Sequence, residues 1–218
     1  FMILSRIISS FHNDKGELLI EGLTSTEQDV FELSDEFVKS SLSSKGVELF
    51  EMESYSKRLW LEPALSILAI DAPPVAESVN LLIPKAKAKV SLRLPPTEDP
   101  DHAMNMLEQH IKENTPFNAN VEFIPEAKGK GILVDPKNEF SSKLIESFNK
   151  HWENEVAYMG VGGSIPFANV FINEFPNSEI VLVGAGDEEG NAHAPNESVN
   201  ISDIQRLIDS LTDAISNY

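Results

Sequence analysis

One histidine of the chain stands where an α/β protein would place a metal ligand. An apolar run at residues 180–183 ends in small, turn-forming residues, and His193 follows in a loop with several carboxylates. Metal-binding histidines commonly lie in such loops, where a carboxylate or a carbonyl holds the second ring nitrogen. The competing interpretation is an exposed histidine in an acidic loop. Because the chain has five histidines, no cysteine and no second group of histidines and acids at ligand spacing, His193 alone does not make a metal centre.

A glycine-rich segment between a predicted strand and a predicted helix is the second candidate. Residues 160–166 contain three glycines and Ser164, and Pro166 would begin the helix. Backbone N–H groups at a helix N-terminus favour an anion, and the Ser164 hydroxyl adds a donor, so Gly163 and Ser164 could face a carboxylate. An ordinary tight strand-to-helix connection explains the glycines equally well. A phosphate loop is excluded, because the Lys-Ser/Thr pair that ends one is absent.

Two further polar residues could hold a substrate. Arg93 is the only arginine on a polar strand face that otherwise carries lysines, and its guanidinium could bind a carboxylate through two parallel hydrogen bonds. The alternative is a solvated edge-strand cation that discourages aggregation. Asn80 could hydrogen-bond a substrate, although asparagines in loops usually serve turns.

Composition excludes several classes of function. The formal net charge is −18, from 17 basic and 35 acidic residues, which argues against nucleic acid and anionic membrane surfaces as partners. The absence of cysteine excludes disulfides and thiolate zinc sites. No run approaches the roughly 18 apolar residues that span a bilayer, and the apolar start lacks the features of a signal peptide. We therefore expect a cytoplasmic protein.

The pattern of elements predicts an α/β chain, with an α+β module followed by an α/β remnant. The N-terminal part alternates as in a ferredoxin-like split β-α-β unit whose first strand would precede residue 1, with a linker at 126–131. The C-terminal part alternates helices with short apolar strands, as in a helix-covered sheet. The predicted helices are 2–11, one that opens at Asp99-Pro100, 139–152, 167–175 and 201–217, and the predicted strands are 17–21, 63–70, 85–94, 121–124, 156–159 and 180–183.

Four motifs in series strengthen this interpretation. They are Asn80-x-x-x-Pro84, Ser91-Leu-Arg-Leu-Pro95, Gly162-Gly-Ser-Ile-Pro166 and Gly190-Asn-Ala-His-Ala-Pro-Asn-Glu197. Their order strongly resembles that of the carnosinase/aminoacylase/glutamate-carboxypeptidase family of two-zinc metallopeptidases, nearest to its dipeptidase-like members. The family has an α/β catalytic domain interrupted by a ferredoxin-like lid that commonly dimerises. By this resemblance, residues 1–125 would be the lid and dimerisation domain, and 131–218 the C-terminal part of the catalytic domain.

The same resemblance implies roles for the candidate residues. His193 would be the last ligand of a two-zinc site, Arg93 and Asn80 would grip the carboxylate and backbone of a peptide substrate, and Gly163 with Ser164 would complete the anion pocket. The chemistry implied is hydrolysis of an amide by metal-activated water, in a homodimer formed through the lid.

The remaining machinery of the family has no counterpart in this sequence. The other zinc ligands and the glutamate base lie in the N-terminal half of family members, so we expect no catalytic residue within this chain and no activity from it alone. Glu188 and Glu189 are not that base, because they directly precede the final histidine motif. Two alternatives stay open: a non-catalytic dimerisation or ligand-binding protein, and an acylamino-acid deacylase of the same family.

Overall fold

The computed structural model describes residues 1–41, 46, 53–161, 166–187 and 189–218. The chain divides into two compact units. The first comprises Phe1–Ile132 with Met159–Ser164, and the second comprises Leu133–Tyr158 with Ile165–Tyr218. Helices and strands are mixed, so the predicted α/β class is confirmed. Among the helices of the described residues, none combines the length and the apolar character that crossing a bilayer requires.

Among the residues that the structure describes, the first unit contains four helices and one antiparallel hairpin. Strands β1 and β2 pair over a register from Ala64↔Arg93 to Asp71↔Lys87, with an irregularity between Ile67 and Ala69. Single 3-10 turns occur at Val75–Glu77 and Pro116–Asn118. The elements are α1 (Met2–Ser9), α2 (Asp35–Ser41), α3 (Tyr55–Trp60), β1 (Ala64–Asp71), β2 (Lys87–Arg93) and α4 (Pro100–Glu113).

Strand β2 follows its predicted alternation. Its outward-facing residues are exposed and its inward-facing residues are partly buried. The inward residues Val90 and Leu92 pack against a core whose buried members are Ile7, Phe11, Ile20, Leu65, Leu107 and Ile111. Burying a large aliphatic or aromatic side chain contributes about 1.5–3 kcal/mol, so this core holds α1 and α4 against the inner face of the hairpin, while the outward-facing residues of β2 stay exposed.

Helix α4 begins where the sequence predicts. The Asp99 carboxylate accepts hydrogen bonds from the backbone N–H groups of Asp101 and His102 at 3.0 and 2.9 Å, and Pro100 occupies the first turn. On the opposite end of the helix, His110 is buried, stacks on Phe11 with ring centroids 5.5 Å apart, and lies 3.0 Å from the Ser10 hydroxyl. This histidine is therefore a packing residue of the first unit.

The second unit has helices α5 (Glu139–His151), α6 (Pro166–Glu174) and α7 (Ile201–Ser216). Polar contacts join α5 to α7: the Ser147 hydroxyl donates to the carbonyl of Ser210 at 2.7 Å, and the Lys150 ammonium lies 2.9 Å from Asp213. The Lys150 hydrogen bond, with help from Ser147 and against a smaller opposing effect of burial, lowers the pKa of the Asp213 carboxyl.

Four predicted strands do not form. A strand requires a hydrogen-bonding neighbour, and within the described residues only the β1–β2 pair has an extended ladder. Some of their apolar residues are used in packing: Phe123 packs against the core of the first unit, and 180–182 line a hollow beside α6. Others, such as Ile124, Met159 and Leu182, are more than half exposed. The segments that do not pair as strands are 17–21, which has a single bridge between Leu18 and His12, and 121–124, 156–159 and 180–183.

Candidate functional site

Arg93 ends strand β2 on the outward face of the sheet. Its Cα pairs with Ala64 at one end of the ladder, while the preceding Leu92 faces the core opposite Leu65. The alternation of the strand therefore directs Arg93 to solvent, where it is exposed. It makes no hydrogen bond or ion pair with any other residue that the structure describes. An unpaired guanidinium offers parallel N–H donors that match the two oxygens of a carboxylate.

Asn80 lies in the long connection between β1 and β2, and its side chain is exposed. Next to it, the N–H of Leu81 donates to the carbonyl of Val79 at 2.7 Å, which tightens the backbone locally. The connection leaves from the Asp71↔Lys87 end of the ladder, about 20 Å along the strand from Arg93. The ladder itself therefore does not bring Asn80 and Arg93 together.

His193 is exposed in the loop between the 180–187 segment and α7. Its φ is +64°, and Asn191 and Asn196 have φ of +51° and +63°. The left-handed region is unfavourable for a side chain such as histidine and costs on the order of 1–3 kcal/mol where the surroundings impose it. The predicted loop position of His193 agrees with the structure, and the strained backbone is a feature that the sequence does not predict.

Gly190 closes the loop that carries His193. The N–H of Ser198 donates to the Gly190 carbonyl at 2.9 Å, and the N–H of Gly190 donates to the Asp187 carbonyl at 3.2 Å. A Cβ on Gly190, which is buried, would lie 3.1 Å from the Ser198 carbonyl oxygen and 3.2 Å from that of Asp187. Sequence reasoning missed this support. Asp187 also accepts the N–H of Glu189 at 2.9 Å in an Asx turn at the start of this loop, but the residue types alone do not identify the closure through Gly190.

The predicted anion pocket lies largely outside the described residues. Gly163 and Ser164 both fall in the range 162–165, for which no structure is given. The segment reaches this range through Gly160, where a Cβ would come within 2.4 Å of the Trp60 side chain. A glycine is therefore required at position 160, where the backbone lies against the Trp60 side chain in the first unit.

The described residues do not form a metal centre by themselves. Among them, no group of three or more histidines and acidic residues could hold a metal ion. His193 is a single nitrogen donor in the second unit, whereas Asn80 and Arg93 belong to the first. This donor set does not fit a two-zinc site, because such a site needs several ligands around each ion.

A family model and a curated relative both relate this chain to peptidases. The model of the M20 peptidase dimerisation domain matches residues 1–119. A cysteinylglycine-S-conjugate dipeptidase from Corynebacterium striatum is 27% identical over 214 residues, which are 94% of this chain and 46% of that protein.

Solved structures of similar fold cover almost the whole chain. An M20 family metallo-carboxypeptidase from Sulfolobus solfataricus has a TM-score of 0.75 at 23% identity, with 98% of this chain and 51% of that chain covered. The di-peptidase Dug1p from Saccharomyces cerevisiae has a TM-score of 0.76 at 20% identity, with coverages of 98% and 47%. Human carnosine dipeptidase 1 has a TM-score of 0.68 at 17% identity, with coverages of 100% and 49%. The chain spans about half the length of each of these relatives.

Proposed function

Because the chain belongs to the M20 peptidase family, whose dimerisation domain its residues 1–119 match, we propose that it is part of a zinc-dependent dipeptidase. In this proposal, residues 1–125 are the lid and dimerisation domain, and 131–218 are the C-terminal part of the catalytic domain. The whole enzyme would hydrolyse dipeptides or short peptides in the cytoplasm. The dipeptidase from Corynebacterium striatum supports this substrate class, since it aligns with 94% of the chain.

The observation that carries the proposal is the exposed, unpaired guanidinium of Arg93 at the end of a rigid hairpin. Core packing of Leu65 and Leu92 fixes the strand, so Arg93 needs little reorganisation to bind an anion. In the proposal it holds the C-terminal carboxylate of the peptide, Asn80 hydrogen-bonds the peptide backbone, and Gly163 with Ser164 completes the pocket. Each of these contacts orients the peptide, and none of them transfers a proton or breaks a bond.

In this proposal, most ligands of the two zinc ions come from outside this chain. His193 would contribute one nitrogen to a site of two ions, while the remaining ligands and the catalytic base would belong to the other half of the enzyme. Because the donor set of this chain does not fit the site, we assign no catalytic step to its residues. The chain alone should not hydrolyse peptides.

Complementation tests this proposal directly. Hydrolysis of a dipeptide panel with added zinc would be measured for the chain alone, and then with the N-terminal half of the Corynebacterium striatum dipeptidase. We expect turnover only from the mixture, and its loss in the variant His193→Ala. Glu155→Ala, which truncates an exposed side chain of the second unit that has no hydrogen bond or ion pair with any described residue, controls for the loss of a surface side chain. Turnover by the chain alone would overturn the split-site proposal, and preferential cleavage of N-acetyl amino acids would identify a deacylase instead.

Dimerisation through the lid is the second part of the proposal. The connection between β1 and β2 exposes several large apolar side chains: Val75 is 91% exposed, Leu81 is 75% exposed and Leu82 is 94% exposed. Large apolar side chains this exposed are typical of an interface where they form a patch. A second copy of the chain is the occupant that a dimerisation domain implies, and we propose that this connection contributes to the contact.

A further inference from the structure

The outward face of the β1–β2 sheet is basic, although the chain as a whole carries a net charge of −18. Strand β2 places Lys87, Lys89 and Arg93 on this face, with Ser91 between the last two, and all four are exposed. We call this set the basic face. Its cations follow one another at intervals of two and four residues, which correspond to about 7 and 13 Å along a strand.

The neighbouring strand leaves these cations uncovered. In the register of the hairpin, Arg93 lies opposite Ala64, Ser91 opposite Ser66, and Lys89 opposite Ala69. These β1 side chains are too short to reach over the basic face. The acid on this face of β1 is Asp71, opposite Lys87 at the far end of the ladder. Strand β1 therefore leaves the basic side chains of β2 open to solvent or to groups from other segments.

The basic face already holds one carboxylate. Glu126, from the segment that follows α4 in the chain, places its Oε2 atom 2.5 Å from the ammonium of Lys89. Both side chains are more than half exposed, at 62% and 55%. The hydrogen bond and the charge of Lys89, together with the charge of Lys87, lower the pKa of the Glu126 carboxyl. An exposed intramolecular ion pair of this kind is weak, so a carboxylate from another molecule can compete with Glu126 for Lys89.

We propose that the basic face binds acidic short peptides, which place one carboxylate on Arg93 and a second on Lys89 after displacing Glu126. The inference rests on the proposed function, because Arg93 takes the C-terminal carboxylate in both. Lys89 and Arg93 are about 13 Å apart along the strand, a distance that about four extended residues span. The substrates selected would be peptides of about four residues, at the longer end of the proposed range of dipeptides and short peptides, with an acidic side chain in addition to the free C-terminus.

A titration of the 218-residue chain with tetraglutamate and tetraalanine, followed by amide chemical shifts at low salt, tests the inference. Both peptides have a free C-terminal carboxylate, so their difference reports the side-chain carboxylates. We expect tetraglutamate to bind about two- to fivefold more tightly, the range for a single exposed ion pair. The preference should disappear at about 0.5 M salt, where charges are screened within a few ångströms.

Three variants locate the effect. Lys89→Gln should remove most of the preference for tetraglutamate, and Glu126→Gln should strengthen tetraglutamate binding because it removes the internal competitor. Lys112→Gln is the matched control, since Lys112 is also exposed and also paired with a glutamate, Glu108, at 2.6 Å. It should leave the preference unchanged.

The outcomes separate this inference from the proposed function. Equal affinity for the two peptides, equal effects of Lys89→Gln and Lys112→Gln, or no binding of either peptide would overturn the inference. If tetraglutamate were preferred in a manner dependent on Lys89, while Arg93→Gln left the binding of both peptides unchanged, Lys89 would remain a carboxylate site, whereas the role of Arg93, which the inference shares with the proposed function, would be overturned.

Discussion

The carboxylate of Glu179 caps helix α5 through Ser141, which lies 38 residues earlier in the chain. Its Oε2 atom accepts the backbone N–H of Ser141 at 3.0 Å and the Ser141 hydroxyl at 3.2 Å, and Oε1 accepts the N–H of Phe140 at 3.3 Å. The residue at the local N-cap position, Asn138, makes no side-chain capping bond. A distant acid therefore satisfies N–H groups that the first turn of a helix leaves open.

Removal of this cap should destabilise the second unit. Burial alone would raise the pKa of Glu179, but the hydrogen bonds from Ser141 and Phe140 outweigh it and lower the pKa. The lowered folded-state pKa means that the cap stabilises the protein above the ordinary pKa of glutamate, and that this stability is lost as the pH falls through the lowered value. We expect Glu179→Gln to lower the Tm at pH 7 and to make it less dependent on pH below about 4.

Thermal unfolding of the two proteins between about pH 3 and pH 7 measures this effect. Glu155→Gln is the control, since Glu155 is exposed and makes no hydrogen bond or ion pair with any described residue. A Tm of the Glu179 variant that follows the wild type at every pH would contradict the capping role.

Glu98 should stabilise the first unit in a similar way but from a buried position. It is 2% exposed and accepts hydrogen bonds from the N–H and hydroxyl of Thr24 at 2.6 and 2.7 Å, from the N–H of Asp99 at 3.1 Å, and from His102 at 2.8 Å. Burial would raise its pKa, but the bonds from His102 and Thr24 lower it. Because a buried acceptor of several donors is replaced, Glu98→Gln should cost about 1–3 kcal/mol at pH 7.

Urea unfolding at pH 7 and at about pH 3 checks this value. Since the folded-state pKa is lowered, the stability from Glu98 is present above the ordinary carboxyl pKa and is lost as the pH falls through the lowered one, so the difference between wild type and variant should shrink at low pH. Glu108→Gln, an exposed glutamate paired with Lys112, should cost less than about 1 kcal/mol. Equal costs for the two variants would show that burial of Glu98 does not matter.

The elements that could be predicted are those whose determinants are local in sequence. Consecutive residues determine the alternation of β2 and the start of α4 at Asp99-Pro100. Both predictions are confirmed. The cap on α5 could not be predicted, because Glu179 and Ser141 are distant in sequence and a better local candidate, Asn138, is present. The strands predicted at 156–159 and 180–183 were wrong, because an apolar run favours a strand but does not supply the neighbour with which it must pair.

In the candidate site, too, the features that could be predicted are those that depend on local sequence. The exposure of Arg93 follows from strand alternation and was predictable, as was the loop position of His193. Neither the left-handed backbone of His193 nor its closure through Gly190 could be read from residue types, since a histidine rarely adopts φ near +64°. The opposition of Lys89 and Ala69, on which the basic face depends, follows from a register that is shifted by the irregularity after Ile67.

Gly190→Ala should displace the loop that carries His193. The added Cβ would lie 3.1 Å from the Ser198 carbonyl oxygen and 3.2 Å from that of Asp187, so the loop must shift by a few tenths of an ångström to accept it. We expect faster hydrogen exchange at the Ser198 amide, which donates to Gly190, and shifted imidazole resonances of His193. Gly186→Ala is the matched control, because its Cβ would have no heavy atom within 4 Å. Unchanged exchange and resonances in Gly190→Ala would contradict the positioning role of Gly190.

Leu82→Asp should weaken self-association if the connection between β1 and β2 contributes to a dimer. Leu82 is 94% exposed, so an aspartate there costs the monomer little, whereas a carboxylate buried at an apolar interface without a partner is strongly unfavourable. The expected result is at least a tenfold rise in the dissociation constant, equivalent to about 1.4 kcal/mol. Sedimentation equilibrium over a range of concentrations measures it. Ile201→Asp is the control, since Ile201 is 80% exposed but starts α7 in the second unit. A comparable loss of association in both variants would contradict the proposed contact, because the added negative charge would then explain the effect at either position.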